Sequence, residues 1–166
     1  MIWQLRHRAD TCCLKLANRH YNRQTHDSPQ FAPPGRCVVL FAETPGGCAL
    51  WVTSHQKFTL HRWGGAWVCS VFRNEGAGLS SALIVSALAA TRAIWGEPPE
   101  IGCITFVNPG KVKPKKNPGF CFLAAGFQDA GRTKVNNLIA LQLPGRGFPK
   151  PQEPRGFQRR FDFWEG

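Results

Sequence analysis

Acidic residues are scarce in this chain: 10 Asp and Glu stand against 21 Lys and Arg, a formal net charge of +11 over 166 residues. A surplus of that size predicts attraction to a polyanion, nucleic acid being the commonest; the alternative is a basic domain whose one anionic ligand is a phosphorylated cofactor. No apolar run approaches the roughly 18 residues needed to span a bilayer, which excludes a membrane helix at this level. The basic N-terminus, Met1-Ile-Trp-Gln-Leu-Arg-His-Arg8, has no apolar stretch after it and so lacks the form of a secretory signal. No Cys-x-x-Cys occurs among seven scattered cysteines (12, 13, 37, 48, 69, 103 and 121), which argues against a disulfide framework and a zinc knuckle. The five histidines add no ligand spacing, so no metal is expected. There is one tyrosine, Tyr21.

What is present is enough for one packed domain. Hydrophobic content of 43% with 11% aromatic excludes wholesale disorder. The expectation is a soluble, cytoplasmic protein with reduced thiols.

Residues 2–8 alternate as a short strand, and Asp10 has the character of a helix N-cap before Cys13, Leu16, Ala17 and His20 or Tyr21 at helical spacing, ending near Asn22. A proline-punctuated loop over 23–36 follows. Strands are predicted over 37–42 and 48–54, joined by Glu43-Thr-Pro-Gly-Gly47, and over 66–72. A long helix places Leu79, Leu83, Ala87, Ala90 and Ile94 on one face. The apolar 102–107 is a strand, 119–125 a short helix capped by Gly126, and 127–133 and 138–143 are the last strands. From Pro144 onward Gly, Pro, Arg and Phe dominate without periodicity, which predicts a loosely held basic, aromatic tail over 144–166.

The strand ending at Phe72 meets the long helix through Arg73-x-x-Gly76-x-Gly78. A strand feeding a helix through glycines leaves backbone N–H groups unpaired at the positive end of the helix dipole, a site for a phosphate or pyrophosphate. Glycine lets the backbone approach such a ligand. Lys111, Lys113, Lys115 and Lys116 form a second basic feature, stiffened by prolines and suited to phosphate-backbone contact, with Arg132 and Lys134 as neighbours.

The order of elements, with Arg-x-x-Gly-x-Gly between the fourth strand and the long helix, resembles the GNAT superfamily of N-acetyltransferases. Phe122-Leu-Ala-Ala-Gly-Phe127 is similar to that superfamily's short helix ending in an aliphatic-Gly-Phe turn. The resemblance implies an α+β fold over residues 1–143, with a mixed, mostly antiparallel central sheet of about six to seven strands flanked by helices. It implies an acetyl-CoA (or other acyl-CoA) pyrophosphate held along Phe72, Arg73, Gly76, Gly78, Ser80 and Ser81. Within the superfamily the chain resembles phage DNA-modification proteins of the Mom type. The likeness lies in His20-Tyr21-Asn22 after the first helix, Arg73 with Ser81, and Asn108 before Gly119-Phe-Cys-Phe122-Leu-Ala124. It departs at Asn108, where a carboxylate is frequent, and at Phe122, where a tyrosine is usual and often protonates the departing thiolate.

The resemblance implies a DNA-modifying acyltransferase of phage or mobile-element origin. Tyr21, Ser70 and Asn108 are its catalytic candidates, and His20 and Asn22 its substrate contacts. Two have structural alternatives: Tyr21 as a packed ring, Ser70 as a hydroxyl bonded to backbone. Two other functions stay open. One is acetylation of a small-molecule or protein amine; the other is non-catalytic nucleic-acid binding on a degenerate scaffold.

Overall fold

The computed structural model describes residues 1–21, 23, 28–55, 61–111 and 117–159. Seven strands form one open sheet: β1 (Gln4–Arg6), β2 (Arg36–Thr44), β3 (Gly47–His55), β4 (Trp67–Glu75), β5 (Cys103–Val107), β6 (Gln128–Arg132) and β7 (Ile139–Leu143). Their spatial order is β1-β2-β3-β4-β5-β7-β6, and every neighbouring pair is antiparallel except β4–β5. A parallel pair needs a crossover, supplied by α2 (Ser80–Trp95). The other α-helices among the described residues are α1 (Thr11–Asn18) and the five-residue α3 (Phe120–Ala124). The architecture is α+β. No described helix is long and apolar enough to cross a membrane.

Both faces of the sheet carry core. On one, α2 buries Leu83, Ile84, Ala87, Leu88 and Ala90 against Leu40, Trp51, Trp67 and Cys103. The alanines let the helix sit close to the strands, and Trp3 is locked beneath it by donating from Nε1 to the Leu83 carbonyl at 3.1 Å. On the other face, Cys13, Leu16 and Ala17 of α1 pack on Val39, Phe41, Leu50 and Val52. Asp10 caps α1 as expected, its Oδ1 accepting from the N–H groups of Cys12 (2.9 Å) and Cys13 (3.3 Å). Such a cap contributes about 1 kcal/mol.

Several boundaries differ from the sequence expectation, each for a reason in long-range packing. The β2–β3 hairpin pairs without a break from Arg36↔His55 to Thr44↔Gly47, so its turn is Pro45-Gly46 alone. That tip presses on the end of β4: a Cβ on Gly47 would lie 1.8 Å from the Glu75 carbonyl oxygen. The contact holds β4 extended through Glu75, three residues past the expected end. Helix α1 stops at Asn18, which leaves His20 and Tyr21 beyond it.

The segment after Leu143, expected to be loosely held, is docked as far as Arg155. Phe148 is buried edge-on against Trp67 at 5.4 Å. The Gln152 N–H donates to the Ala89 carbonyl at 3.1 Å, the Arg155 N–H to that of Trp3 at 3.0 Å, and the Leu5 N–H to that of Arg155 at 2.8 Å. The chain thus covers the outer edge of β1, which would otherwise present unpaired backbone groups. Phe161 and Trp164 lie outside the described residues.

Candidate functional site

Strands β4 and β5 pair only over Trp67–Cys69 and Cys103–Thr105. The cause of their separation is local. On β3, Val52 faces Val71 and Thr53 faces Cys69, so Ser70 is an inserted, bulged residue. A bulge bends its strand and adds twist. One consequence is that Cys69 and Val71, two residues apart, face opposite sides of the sheet. The Ser70 hydroxyl donates to the Val52 carbonyl at 3.3 Å, the backbone-bonded alternative for that side chain. At the fork, Thr105 Oγ1 donates to the Cys69 carbonyl at 3.2 Å.

Beyond the fork the strands enclose a cavity of about 860 Å³, roofed by the start of α2 and by α3. Phe72 and Phe122 meet edge-to-face at 5.8 Å in its wall, and Phe122 is buried between Phe72, Phe127 and Trp51. The first turn of α2 opens on this space through Gly78, Leu79, Ser80 and Ser81. No side chain caps that helix end and no acidic residue occupies its first turn, so the positive end of its dipole faces the cavity unopposed.

The two glycines of the loop have different tasks. A Cβ on Gly76 would lie 2.5 Å from the Gly46 carbonyl oxygen, so this glycine admits the β2–β3 tip rather than a ligand. Gly78 has φ +154° and open space where a Cβ would stand, and it lines the cavity. Asn74, unforeseen from sequence, shapes the loop. Its Nδ2 donates to the Gly78 carbonyl (2.7 Å) and to Ser80 Oγ (2.9 Å), and its Oδ1 accepts from the Ala77 N–H at 3.0 Å.

The charges are one-sided. Arg19, Arg73 and Lys111 line the cavity, and none of its described lining residues is a carboxylate. Glu75 clamps the end of α1 to β4. Arg19 bonds both its carboxylate oxygens (2.8 and 2.6 Å), and Arg73 Nε bonds one at 2.5 Å while its Nη1 donates to the Arg19 carbonyl at 2.7 Å. Hydrogen bonds from Arg19 and Arg73 hold the Glu75 carboxyl down at about 2.

The clamp sets His20 and Tyr21 over the fork, rings stacked at 4.5 Å. Burial and the nearby Arg73 charge push the His20 imidazole down to about 4, against a hydrogen bond to the Phe72 backbone that favours its cation. It is neutral at physiological pH. The Tyr21 phenol lies 3.5 Å from the Phe106 carbonyl, and burial raises its pKa despite a bond from the Asn108 backbone. A phenol so placed keeps its proton near pH 7; it can orient a ligand but not deprotonate one.

A second cavity, of about 690 Å³, lies on the α1 face of the sheet among Ala17, Phe31, Val71 and Leu138. It shares His20, Cys69, Ser70 and Phe106 with the first, so the two meet at the fork. Arg23 borders it and is tied to Asn18 Oδ1 (2.9 Å) and to the carbonyls of Gln30 (3.0 Å) and Ser28 (2.5 Å).

Phe72, Arg73, Gly78, Ser80, Ser81, His20, Tyr21, Ser70 and Lys111 therefore converge on one cleft. Asn108 does not present its side chain there: its Oδ1 accepts from the Gly110 N–H at 3.0 Å and closes a turn. Arg132 stands on the edge strand β6, paired with Asp129 at 3.4 Å, and lines neither cavity. Asn22, Lys113, Lys115 and Lys116 lie outside the described residues. Comparison with known proteins adds no relative: no family model, curated protein or solved structure matches this chain.

Proposed function

We propose that this chain is an acyl-CoA-dependent transferase of the GNAT type that modifies a nucleobase in DNA, as its likeness to the Mom-type proteins implies. One observation carries the reading: the cleft at the β4–β5 fork, which faces an uncapped helix end, continues to the opposite face of the sheet and has Arg19, Arg73 and Lys111 in its lining. Acetyl-CoA, or another acyl-CoA, fits the residues present. Gly78, Ser80, Ser81 and the first turn of α2 suit a pyrophosphate, with Arg73 beside them. When bound, the cofactor supplies an acyl thioester open to attack by an amine. Past Cys69 the edge of β4 that would face β5 has no strand partner, so an acyl oxygen placed there would meet backbone that β3 does not engage.

The charge distribution selects among acceptors. A protonated amine entering the cleft would meet Lys111 and the Arg19–Arg73 pair, whose two charges the single Glu75 carboxylate offsets only in part, and no carboxylate among the described lining residues. The exocyclic amine of a base is uncharged and arrives with phosphates that the cations favour. It would have to be extruded to reach the fork. As the amine nitrogen bonded the acyl carbon and the carbon–sulfur bond broke, the nitrogen's proton would pass to His20, neutral at this pH, or to water, and the departing thiolate would take its proton from water, since Phe122 offers none. Tyr21 orients the base through its hydroxyl.

Phe122 and Asn108 favour a second reading, a non-catalytic nucleic-acid-binding protein on the same scaffold. Phe122 offers no acid to a leaving thiolate, and the Asn108 carboxamide is committed to a turn. Titration calorimetry with acetyl-CoA, and mass spectrometry of nucleosides from DNA of cells expressing the protein, separate the possibilities. Heat and a new nucleoside are expected. Heat without a modified nucleoside points to another amine; no heat at millimolar acetyl-CoA, with strongly salt-dependent DNA binding, points to the second reading.

Tyr21→Phe keeps the ring on His20 and removes one hydrogen bond. The yield of modified base should fall about fivefold to tenfold, the scale of a single bond. Its pH dependence should not move, because the phenol stays protonated. Yield equal to wild type at matched protein level would reduce Tyr21 to packing.

A further inference from the structure

The hairpin between β6 and β7 ends in Thr133-Lys134-Val135-Asn136-Asn137-Leu138, and Leu138 lines the smaller cavity beside Phe106. Thr133 clamps the tip. Its N–H donates to the Leu138 carbonyl at 3.0 Å, its hydroxyl donates to the Val135 carbonyl at 2.6 Å, and the hydroxyl accepts from the Leu138 N–H at 2.9 Å. Asn136 and Asn137 both adopt left-handed backbone, φ 65° and 48°, which asparagine tolerates better than most residues. The result is a stiff finger. At its tip Val135 is 73% exposed, an apolar β-branched side chain that stabilises nothing within the fold.

The hairpin that bears it is basic. Lys134 and Arg132 are exposed on the finger. Arg62 lies 4.5 Å over the Trp63 ring and is held against β6 by donating to the Ala130 carbonyl at 2.6 Å. Asp129, paired with Arg132, is the one carboxylate of β6.

We propose that the β6–β7 tip is a wedge for duplex DNA: Val135 enters the gap left when a base is drawn into the adjoining cavity, and Arg132 and Lys134 hold the neighbouring phosphates. This rests on the nucleobase-modifying reading. Extrusion costs stacking and pairing energy, and an apolar side chain in the vacated step restores contact with the base pairs on either side. A clamped tip loses little conformational entropy in doing so. A single-stranded target needs no such help. The wedge therefore confers activity on duplex DNA without touching the chemistry.

The test uses the full-length chain, labelled acetyl-CoA, and genomic DNA in native and heat-denatured form. Val135→Gly should label denatured DNA as wild type does and native DNA roughly ten- to a hundredfold less. Val135→Leu should retain native labelling. A second measurement needs no acyl donor: permanganate should attack thymines in a mixed-sequence duplex with wild type bound but not with Val135→Gly. Native labelling by Val135→Gly equal to wild type, or equal loss on both DNAs, overturns the wedge. Wild type that labels only denatured DNA overturns it too and leaves the transferase reading intact. Wild type that labels neither DNA and leaves thymines unreactive overturns both.

Discussion

Gly76→Ala is expected to lower the melting temperature by roughly 6–12 °C, and Gly78→Ala by no more than about a third of that, although the two glycines sit in one loop. The alanine Cβ at position 76 would meet the Gly46 carbonyl oxygen at 2.5 Å, and the backbone there has φ +90°. Neither the Gly46 backbone nor the hairpin bearing it can retreat without unpairing β2 from β3. Clash and strain together cost about 3 kcal/mol, and each kcal/mol moves the melting point of a chain this size by about 2–4 °C. At position 78 nothing lies within 4 Å, so only the strain of φ +154° opposes the substitution. Its effect should appear in binding. A methyl group between the loop and a pyrophosphate should weaken acetyl-CoA by about tenfold or more in calorimetry. Equal melting losses in the two variants would show that both glycines serve packing. Full affinity in Gly78→Ala would move the acyl donor away from this helix end.

The contrast between those glycines marks how far the sequence could be read. The strand, the glycine turn and α2 were legible because each rests on local signals: an apolar run, glycine, a 3.6-residue period. Gly76 looked like a ligand contact because its actual partner, Gly46, lies 30 positions away in a hairpin. Ser70 was visible as a strand residue but not as a bulge, since a bulge is a relation between two strands and only the Val52/Thr53 register reveals it. The fork, and hence the cleft, follows from that register. Arg19 carried no signal, and its role appears only through Glu75, 56 residues on. The tail misled for the opposite reason. It lacks periodicity because it is held largely by backbone bonds to Trp3, Leu5 and Ala89, which need no side-chain pattern. His20 and Tyr21 were singled out by the resemblance, and Tyr21 also as the one tyrosine; the structure sets both in the cleft lining although α1 ends before them.

Acidification from pH 7 to pH 5 is expected to remove about 2 kcal/mol of stability through His20 alone, a fall of about 4–8 °C in melting temperature. In the folded protein the imidazole is held down to about 4, whereas in the unfolded chain it titrates near its ordinary 6.5. Between those values the unfolded state binds the additional proton. Stability therefore rises with pH there, is fully present above about 6.5, and falls as pH drops toward 4. Glu75 acts in the same direction at lower pH: held at about 2 by Arg19 and Arg73, it contributes stability above its ordinary 4.5 that is lost as pH falls toward 2. The decline should thus have two steps. His20→Asn should remove most of the upper step, leaving the smaller share from His61, whose imidazole is also lowered by burial. Glu75→Gln should remove most of the lower step, leaving the share from Asp129, whose carboxyl is held down by the Gly131 N–H and Arg132, and, by freeing Arg19 and Arg73, loosen the seat of His20 and Tyr21. Urea unfolding at pH 7 and 5, with the His20 ring followed by NMR, checks both. A His20 midpoint near 6.5, or equal losses in wild type and His20→Asn, would mean that the fork holds a solvated imidazole. A cationic ring would then stand beside Arg19, Arg73 and Lys111 below that midpoint, and proton transfer from an acceptor amine would pass to water alone.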